Sequence, residues 1–355
     1  MRVCILGAGL SSLTLAKALV NQNIYVDLYS QKKIKLPHKS RTIGISKSNI
    51  EFFNDAIINV DKIAWKLKKI EIFSDNLSKE KLINFENDDN ELFSIMRNQN
   101  LFEVLEKSLS KDKYFKRKNY LKNFDFLNNY SLVINTDFTA PITKKYFSRK
   151  ILKEHSGLAY TTIIKHETID NATAVQIFTK LGPLAFLPIS EKETSVVYSF
   201  YSKKNENINK LIEKYNHKYK ILNIDKINSF KLKSLNLRSY YHDHILAFGD
   251  LLHKIHPLAG QGFNMTIRDI QVLLEIIVSK FSLGLDLDSS VNYEFEKKLK
   301  HKNFIFSNGI DLVHEFFNFE RKMNTDLLSK SVQLLNKNTK INKFFTKIAD
   351  KGTLV

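Results

Sequence analysis

The chain has one cysteine, Cys4, among 355 residues, so neither an intrachain disulfide nor a thiolate metal cluster can form. Cys4 sits in the apolar run Val3 to Leu6, where a small buried thiol is the ordinary expectation. No uncharged apolar run reaches the roughly 18 residues that a spanning helix needs. The apolar N-terminal stretch to Val20 does not read as a signal peptide, because Gly7, Gly9 and Lys17 interrupt it. These absences predict a reducing, cytoplasmic setting. Acidic residues are in short supply too. Against 55 Lys and Arg stand 37 Asp and Glu, a formal net charge of +18. No nucleic-acid motif accompanies that charge. The excess is lysine spread along the chain, the pattern of a biased amino-acid usage, and attraction to acidic lipid headgroups is the second reading. The length and a hydrophobic fraction of 43% suit one large domain or two interleaved ones.

What is present is concentrated in two stretches. In the first, the apolar run Val3 to Leu6 leads into Gly7-Ala8-Gly9-Leu10-Ser11-Ser12. A helix face follows (Leu13, Ala16, Leu19, Val20), then a turn and a second apolar run, Ile24 to Tyr29. This is the start of a dinucleotide-binding βαβ unit. Two departures weaken it. Ser12 replaces the third glycine, and Ser30 stands where a carboxylate would bind a ribose hydroxyl bidentately. Asp27 is three positions early and points to the opposite face by strand alternation.

In the second stretch, Ile245 to Phe248 ends in Gly249-Asp250. His253, His256 and Pro257 follow, then Ala259-Gly260-Gln261-Gly262-Phe263-Asn264 and a helical pattern at Ile267, Ile270, Leu273 and Ile277. Strand, glycine turn and helix start bring backbone N–H groups and a helix dipole up to a flat or anionic ligand. The two histidines lack a nearby third ligand, which argues against a metal site. No Ser/His/Asp nucleophile set is evident.

The spacing G-D-x-x-H-x-x-H-P-x-A-G-Q-G-x-N from Gly249 to Asn264 resembles the second FAD-binding motif of the flavin-dependent aromatic-ring hydroxylases, most closely those of ubiquinone biosynthesis. The resemblance implies an α/β fold: a Rossmann-like FAD-binding domain, an inserted mixed β-sheet substrate domain and a C-terminal helical region. The FAD domain would be discontinuous (1–70, 96–150 and 240–335), with the substrate domain at 71–95 and 151–239 and an amphipathic segment at 336–355. It also implies hydroxylation of a hydrophobic phenolic ring through a flavin hydroperoxide, with O2 as co-substrate and NAD(P)H or an electron-transfer protein as reductant. Cofactor contacts are expected from Gly7, Gly9, Leu10, Ser12, Ser30, Gly249, Asp250, Gly260, Gln261, Gly262, Phe263 and Asn264, with Pro257 bordering the reacting face.

By the same resemblance Arg41 lies beside FAD, offering planar charged donors. A polar contact falls at Arg97 or Asn98, and an N-cap role explains Asn98 equally well. Asp137 matches an Asp-Gly pair whose glycine is here Phe138, and the arginine that follows the pair is Lys144 at best. A phenylalanine cannot cheaply take a glycine-only conformation, which puts direct NAD(P)H reduction in doubt. Three functions stay open: a ubiquinone-pathway hydroxylase, a flavin hydroxylase of another aromatic, and a non-catalytic relative that assembles with quinone-pathway enzymes.

Elsewhere, Lys69 to Phe73, Leu82 to Phe85 and four runs between Leu158 and Ser199 read as strands. A helix is predicted to begin at Met96-Arg97, and a charged one to span Lys203 to Lys220. The basic run Lys111 to Lys122 reads as a solvated loop or edge strand. A helix begins near Val291, and its stretch Phe304 to Asp311 resembles the family's terminal-helix pattern of an Asn before a turn. Phe316, Phe317, Phe319, Leu327, Leu328, Val332 and Leu335 follow at core spacing. Near the end, Ile341, Phe344, Phe345 and Ile348 with Lys340, Lys343, Lys347 and Lys351 make a basic amphipathic segment. It either packs on the core or docks peripherally at the inner face of a membrane.

Overall fold

The computed structural model describes residues 2–31, 36–75, 81–86, 91–120, 123–201, 207–255 and 260–323, and after these only residues 330, 333, 346–348 and 350–352. Strand β1 (Arg2–Leu6), helix α1 (Leu10–Val20) and strand β2 (Tyr25–Ser30) form the βαβ start. Val3, Cys4, Ile5 and Leu6 are all fully buried, as expected of a parallel strand covered on both faces. β3 (Thr42–Ser46) and α2 (Lys47–Ala56) come next, then β4 (Trp65–Leu67), β5 (Lys69–Ser74), β6 (Lys81–Glu86) and β7 (Phe93–Arg97). Met96 and Arg97 therefore close a strand, and α3 (Asn98–Leu109) begins one residue later. β8 (Phe115–Asn119) turns the basic run into an edge strand, followed by β9 (Val133–Asn135) and α4 (Pro141–Tyr146).

The chain then builds β10 (Lys150–His166) and an antiparallel meander of β11 (Thr173–Thr179), β12 (Gly182–Pro188) and β13 (Glu193–Phe200), with β13 pairing back onto β10. The predicted charged helix is shorter than expected among the described residues, α5 (Ile208–Tyr215), and β14 (Ile221–Ile224) and β15 (Asn228–Leu237) follow it. Short strands β16 (Tyr241–His242), β17 (Ile245–Ala247) and β18 (His253–Lys254) lead to the long helices α6 (Gln261–Ser282) and α7 (Ser289–Met323). α7 runs unbroken through Asp311, so the turn expected there does not form. Leu327, Leu328, Val332, Leu335, Ile341, Phe344 and Phe345 lie outside the described residues.

Three sheets result. The first runs β16-β17-β9-β1-β2-β8, parallel except for β16. The chain leaves β1 for β2 on one side and returns as β9 on the other, so the carboxyl end of β1 is a topological switch point, where open α/β sheets bind ligands. The second has nine strands, with β18-β15-β10-β13-β12-β11-β5-β6 in order and β14 paired to β10. The third is β3-β7-β4. One core of buried side chains unites the first sheet with α1, α3, α6 and the start of α7, while a second core lies under the large sheet and α5. This is the α/β architecture with an added mixed sheet and helical C-terminal part that the motifs implied.

Candidate functional site

A cleft of about 1040 Å³ opens at the end of β1. It exceeds the roughly 300–1,000 Å³ range of small-molecule sites. Both glycine turns line it: Gly7, Gly9, Leu10 and Ser12 from one side, Gly260, Gly262 and Phe263 from the other. Ser30, Arg41, Asn98, Asp137 and Asp250 complete the expected residues on its wall.

The turns do different things. Gly7 has φ of +113°, and a side chain there would collide with the Thr136 hydroxyl. Gly9 has an ordinary φ of −80°, and a Cβ at this position would meet nothing within 4 Å. Its missing side chain is therefore open cleft. Gly9 is also the N-cap of α1, with no side-chain cap and no acidic residue in the first turn. Gly260 caps α6 in the left-handed conformation (φ +63°), again without a capping side chain or an acid in the first turn. Two helix N-termini with uncapped N–H groups thus converge on one cleft, an arrangement that favours an anion. Lys231 of β15 and Lys254 of β18, which line it, add to that preference, while Lys233 is paired with Glu154.

The structure separates the two candidates at the start of α3. Arg97 is spent elsewhere, donating to Glu193 at 2.9 Å and to the Lys39 carbonyl. Asn98 lines the cleft, and its buried Oδ1 has no hydrogen-bond partner. Arg97, not Asn98, is the N-cap of α3, so capping does not explain Asn98. Arg41 extends into the cleft wall with its guanidinium 5.1 Å from the Phe230 ring.

Other expected residues are consumed by the protein itself. Asn264 Nδ2 donates to the carbonyls of Gly44 and Gly260, and its Oδ1 accepts from Ser46 N and Asn49 Nδ2. It ties the α6 turn to β3 and α2. A Cβ on Gly249 would crowd Ser11 at 2.8 Å, so this glycine lets β17 approach α1. Neither Gly249, Asn264 nor Gln261 borders the cleft, and Pro257, with His256 and Ala259, lies outside the described residues. Asp137 lines the cleft, yet its carboxylate already accepts from Tyr120 Oη at 2.6 Å and from the backbone and side chain of Thr139 at 2.7 Å. Burial and that carboxylate push the Tyr120 phenol far above its ordinary pKa, so it stays a donor. Phe138 does not adopt the left-handed backbone, and its side chain is 43% exposed at the rim.

Asp27 faces away from the cleft, as strand alternation requires. It is buried against Lys118 Nζ at 2.8 Å, Tyr130 Oη at 2.6 Å and Arg2. Burial alone would raise its pKa, but those hydrogen bonds and charges outweigh it and hold the carboxyl below the usual range.

The cleft wall also holds residues that spacing did not reveal. His253 is buried beneath it, with Nε2 hydrogen-bonded to Asp269, whose other oxygen accepts from Asn303 at 2.9 Å. The histidine was visible, but its partners lie 16 and 50 positions away on two helices. Among the described residues no three His, Cys, Asp or Glu side chains gather as a metal site, and no helix is long and apolar enough to cross a membrane.

Residues 192–282, from β13 through α6, match the FAD binding domain family. The mitochondrial ubiquinone biosynthesis monooxygenase COQ6 of Drosophila melanogaster is 23% identical over 88% of this chain and 81% of its own length. In sequence the chain is similar to ubiquinone-biosynthesis FAD hydroxylases. Bacterial relatives match over shorter spans. The 3-demethoxyubiquinol 3-hydroxylase of Escherichia coli is 28% identical over 40% of this chain and 39% of its own length. In fold, p-nitrophenol 4-monooxygenase from Pseudomonas putida superposes with a TM-score of 0.78 at 12% identity, covering 98% of both chains. Klebsiella pneumoniae HpxO, solved with FAD and uric acid, gives 0.75 at 13% identity over 98% of this chain and 96% of its own. The cleft at the switch point, the open space at Gly9, the two uncapped helix ends and the unsatisfied Asn98 acceptor all suit FAD.

Proposed function

We propose that this hydroxylase relative is a FAD-dependent monooxygenase that adds a hydroxyl to the aromatic ring of a hydrophobic ubiquinone precursor. The observation that carries the reading is that Gly7 and Gly9, and Gly260 and Gly262 more than 250 positions later, line one cleft. In it, the N-termini of α1 and α6 and the Arg41 guanidinium would hold the cofactor's anionic groups, with Ser30, Asn98 and Asp250 at its hydroxyl and amide edges. When bound and reduced, FAD supplies O2 activation and oxygen transfer. The chain's own contribution is to orient and to exclude water. The α6 N-terminus favours negative charge at the flavin end, a term of up to about 2 kcal/mol. Thr139 and Tyr120 fix the Asp137 carboxylate so that its loop keeps one shape beside the cleft.

The division into a discontinuous cofactor part (1–70, 96–150, 240–335) and a substrate part (71–95, 151–239) belongs to this proposal, as do peripheral membrane contact and assembly with other quinone-pathway enzymes. Deleting the gene tests the function. The expected result is loss of the quinone and accumulation of a precursor lacking one ring hydroxyl. Normal quinone in the deletion strain would overturn it.

A further inference from the structure

Helix α2 is capped by a residue from a distant part of the chain. Its own N-cap, Ser46, makes no side-chain cap hydrogen bond, and the first turn holds no acidic residue. Instead Asp350 Oδ1 accepts from Ser48 N and from Ser48 Oγ, both at 2.9 Å, across 302 positions. A carboxylate there satisfies one of the free N–H groups of the first turn and meets the positive end of the helix. The Asp350 carbonyl accepts from Ser46 Oγ at 2.9 Å, so the hydroxyl that could have capped α2 holds the segment around Asp350. Gly352 seats the same segment on α6. It takes the left-handed conformation (φ +71°), and a Cβ there would collide with the Arg268 guanidinium.

From Ser46 the hydrogen bonds continue to the cofactor cleft. Ser46 N and Asn49 Nδ2 donate to Asn264 Oδ1 at 3.0 and 2.9 Å, and Asn49 Nδ2 also reaches Ser46 Oγ at 2.9 Å. Asn264 Nδ2 donates in turn to the Gly260 carbonyl at 3.2 Å. Gly260 is the left-handed cap of α6 and lines the cleft. Ser46, Asn49 and Asn264 are buried and do not line it, so they are free to act as supports. Such a network favours one arrangement, because each buried polar group left unpaired is costly.

We infer that Asp350 is a positioning residue for the flavin end of the cleft. It fixes the start of α2 and Ser46, and through Asn264 it holds the Gly260 turn in the shape that receives the cofactor. The inference rests on reading this cleft as the FAD site. When the cap is lost, a share of molecules leaves that shape, and apparent affinity falls accordingly. The loss belongs to the flavin end, because the Gly7–Gly9 turn is built by β1 and α1.

The test compares full-length wild type with Asp350→Ala, Asp350→Asn and Gly352→Ala in titrations with FAD and with ADP, beside thermal unfolding of each apoprotein. ADP carries the adenosine and pyrophosphate but lacks the flavin. Asp350→Ala should bind FAD about fivefold more weakly, the worth of one helix cap, and ADP as wild type does. Asp350→Asn should recover most of that loss, since an amide oxygen still accepts from Ser48. Gly352→Ala, which displaces the segment and leaves the carboxylate in place, should repeat the FAD-selective loss. It decides the outcome if Asp350→Ala does not fold. FAD affinity unchanged in a folded Asp350→Ala, or FAD and ADP weakened alike, would overturn the inference and leave the cofactor reading standing. A wild type that binds no FAD would overturn both.

Discussion

Ser12 Oγ lies 2.6 Å from Thr136 Oγ1, and the Thr136 hydroxyl donates to the Leu6 carbonyl at 2.8 Å. With its one proton committed to Leu6, Thr136 accepts from Ser12. The residue standing where relatives of this fold would have a third glycine is therefore a strut that joins α1 to the loop after β9. Ser12→Gly should destabilise the protein by about 1–2 kcal/mol, combining a lost buried hydrogen bond with a glycine in a helix. Urea unfolding measures this. A more stable Ser12→Gly variant would show that the serine is only a tolerated replacement.

The two residues at the start of α3 should behave oppositely. Asn98→Ala removes the unsatisfied acceptor at the cleft and should weaken FAD binding about 2- to 10-fold, the worth of one hydrogen bond. Arg97→Ala breaks the pair with Glu193 and the bond to the Lys39 carbonyl, and should leave FAD affinity within about twofold. Fluorescence titration of FAD into each apoprotein separates them.

The motif-bearing parts of this architecture were legible because their information is local. Gly7 and Gly9 sit between a strand and a helix within a few residues, and Gly260 and Gly262 repeat that geometry. Asp27 was placed on the correct face by alternation alone. What escaped depends on pairings across the chain. Asn264 reads as a ligand contact until Gly44 and Ser46, about 220 positions earlier, are seen to take its hydrogen bonds. Arg97 and Asn98 are adjacent, and only Glu193 decides between them. α7 misled beyond Leu299, where Asn303, Ser307 and Asp311 are buried and Phe319 is exposed, the reverse of what hydrophobic spacing assumes.

Breaking the buried pair under the cleft should be costly. His253→Ala leaves the fully buried Asp269 carboxylate with Asn303 as its remaining hydrogen-bond partner among the described residues and should lower stability by about 3 kcal/mol or more. Chemical unfolding of the variant checks it, and a loss under about 1 kcal/mol would mean that solvent reaches Asp269.

Asp27 predicts a pH signature. Its folded pKa lies below the unfolded value of about 3.9, so its stabilisation is fully present above that value and is lost as pH falls through the folded pKa. Asp27→Asn should therefore be less stable than wild type at neutral pH. The gap should close as pH drops below about 4. Thermal melts of both proteins between neutral pH and pH 3 follow the convergence. A gap independent of pH would show that shape, not charge, makes Asp27 matter.

The most direct measurement is FAD titration of the full-length protein beside its Gly9→Val variant, read by visible absorbance, flavin fluorescence and thermal unfolding. Gly9 has an ordinary backbone angle and open space where a Cβ would go, so valine should leave the fold intact and fill the cleft. Wild type should be yellow or become so with one FAD per chain, and Gly9→Val should melt like wild type yet bind at least tenfold more weakly. A wild-type protein that stays colourless with FAD, or a Gly9→Val variant that binds it equally well, would contradict the assignment of this cleft to the cofactor.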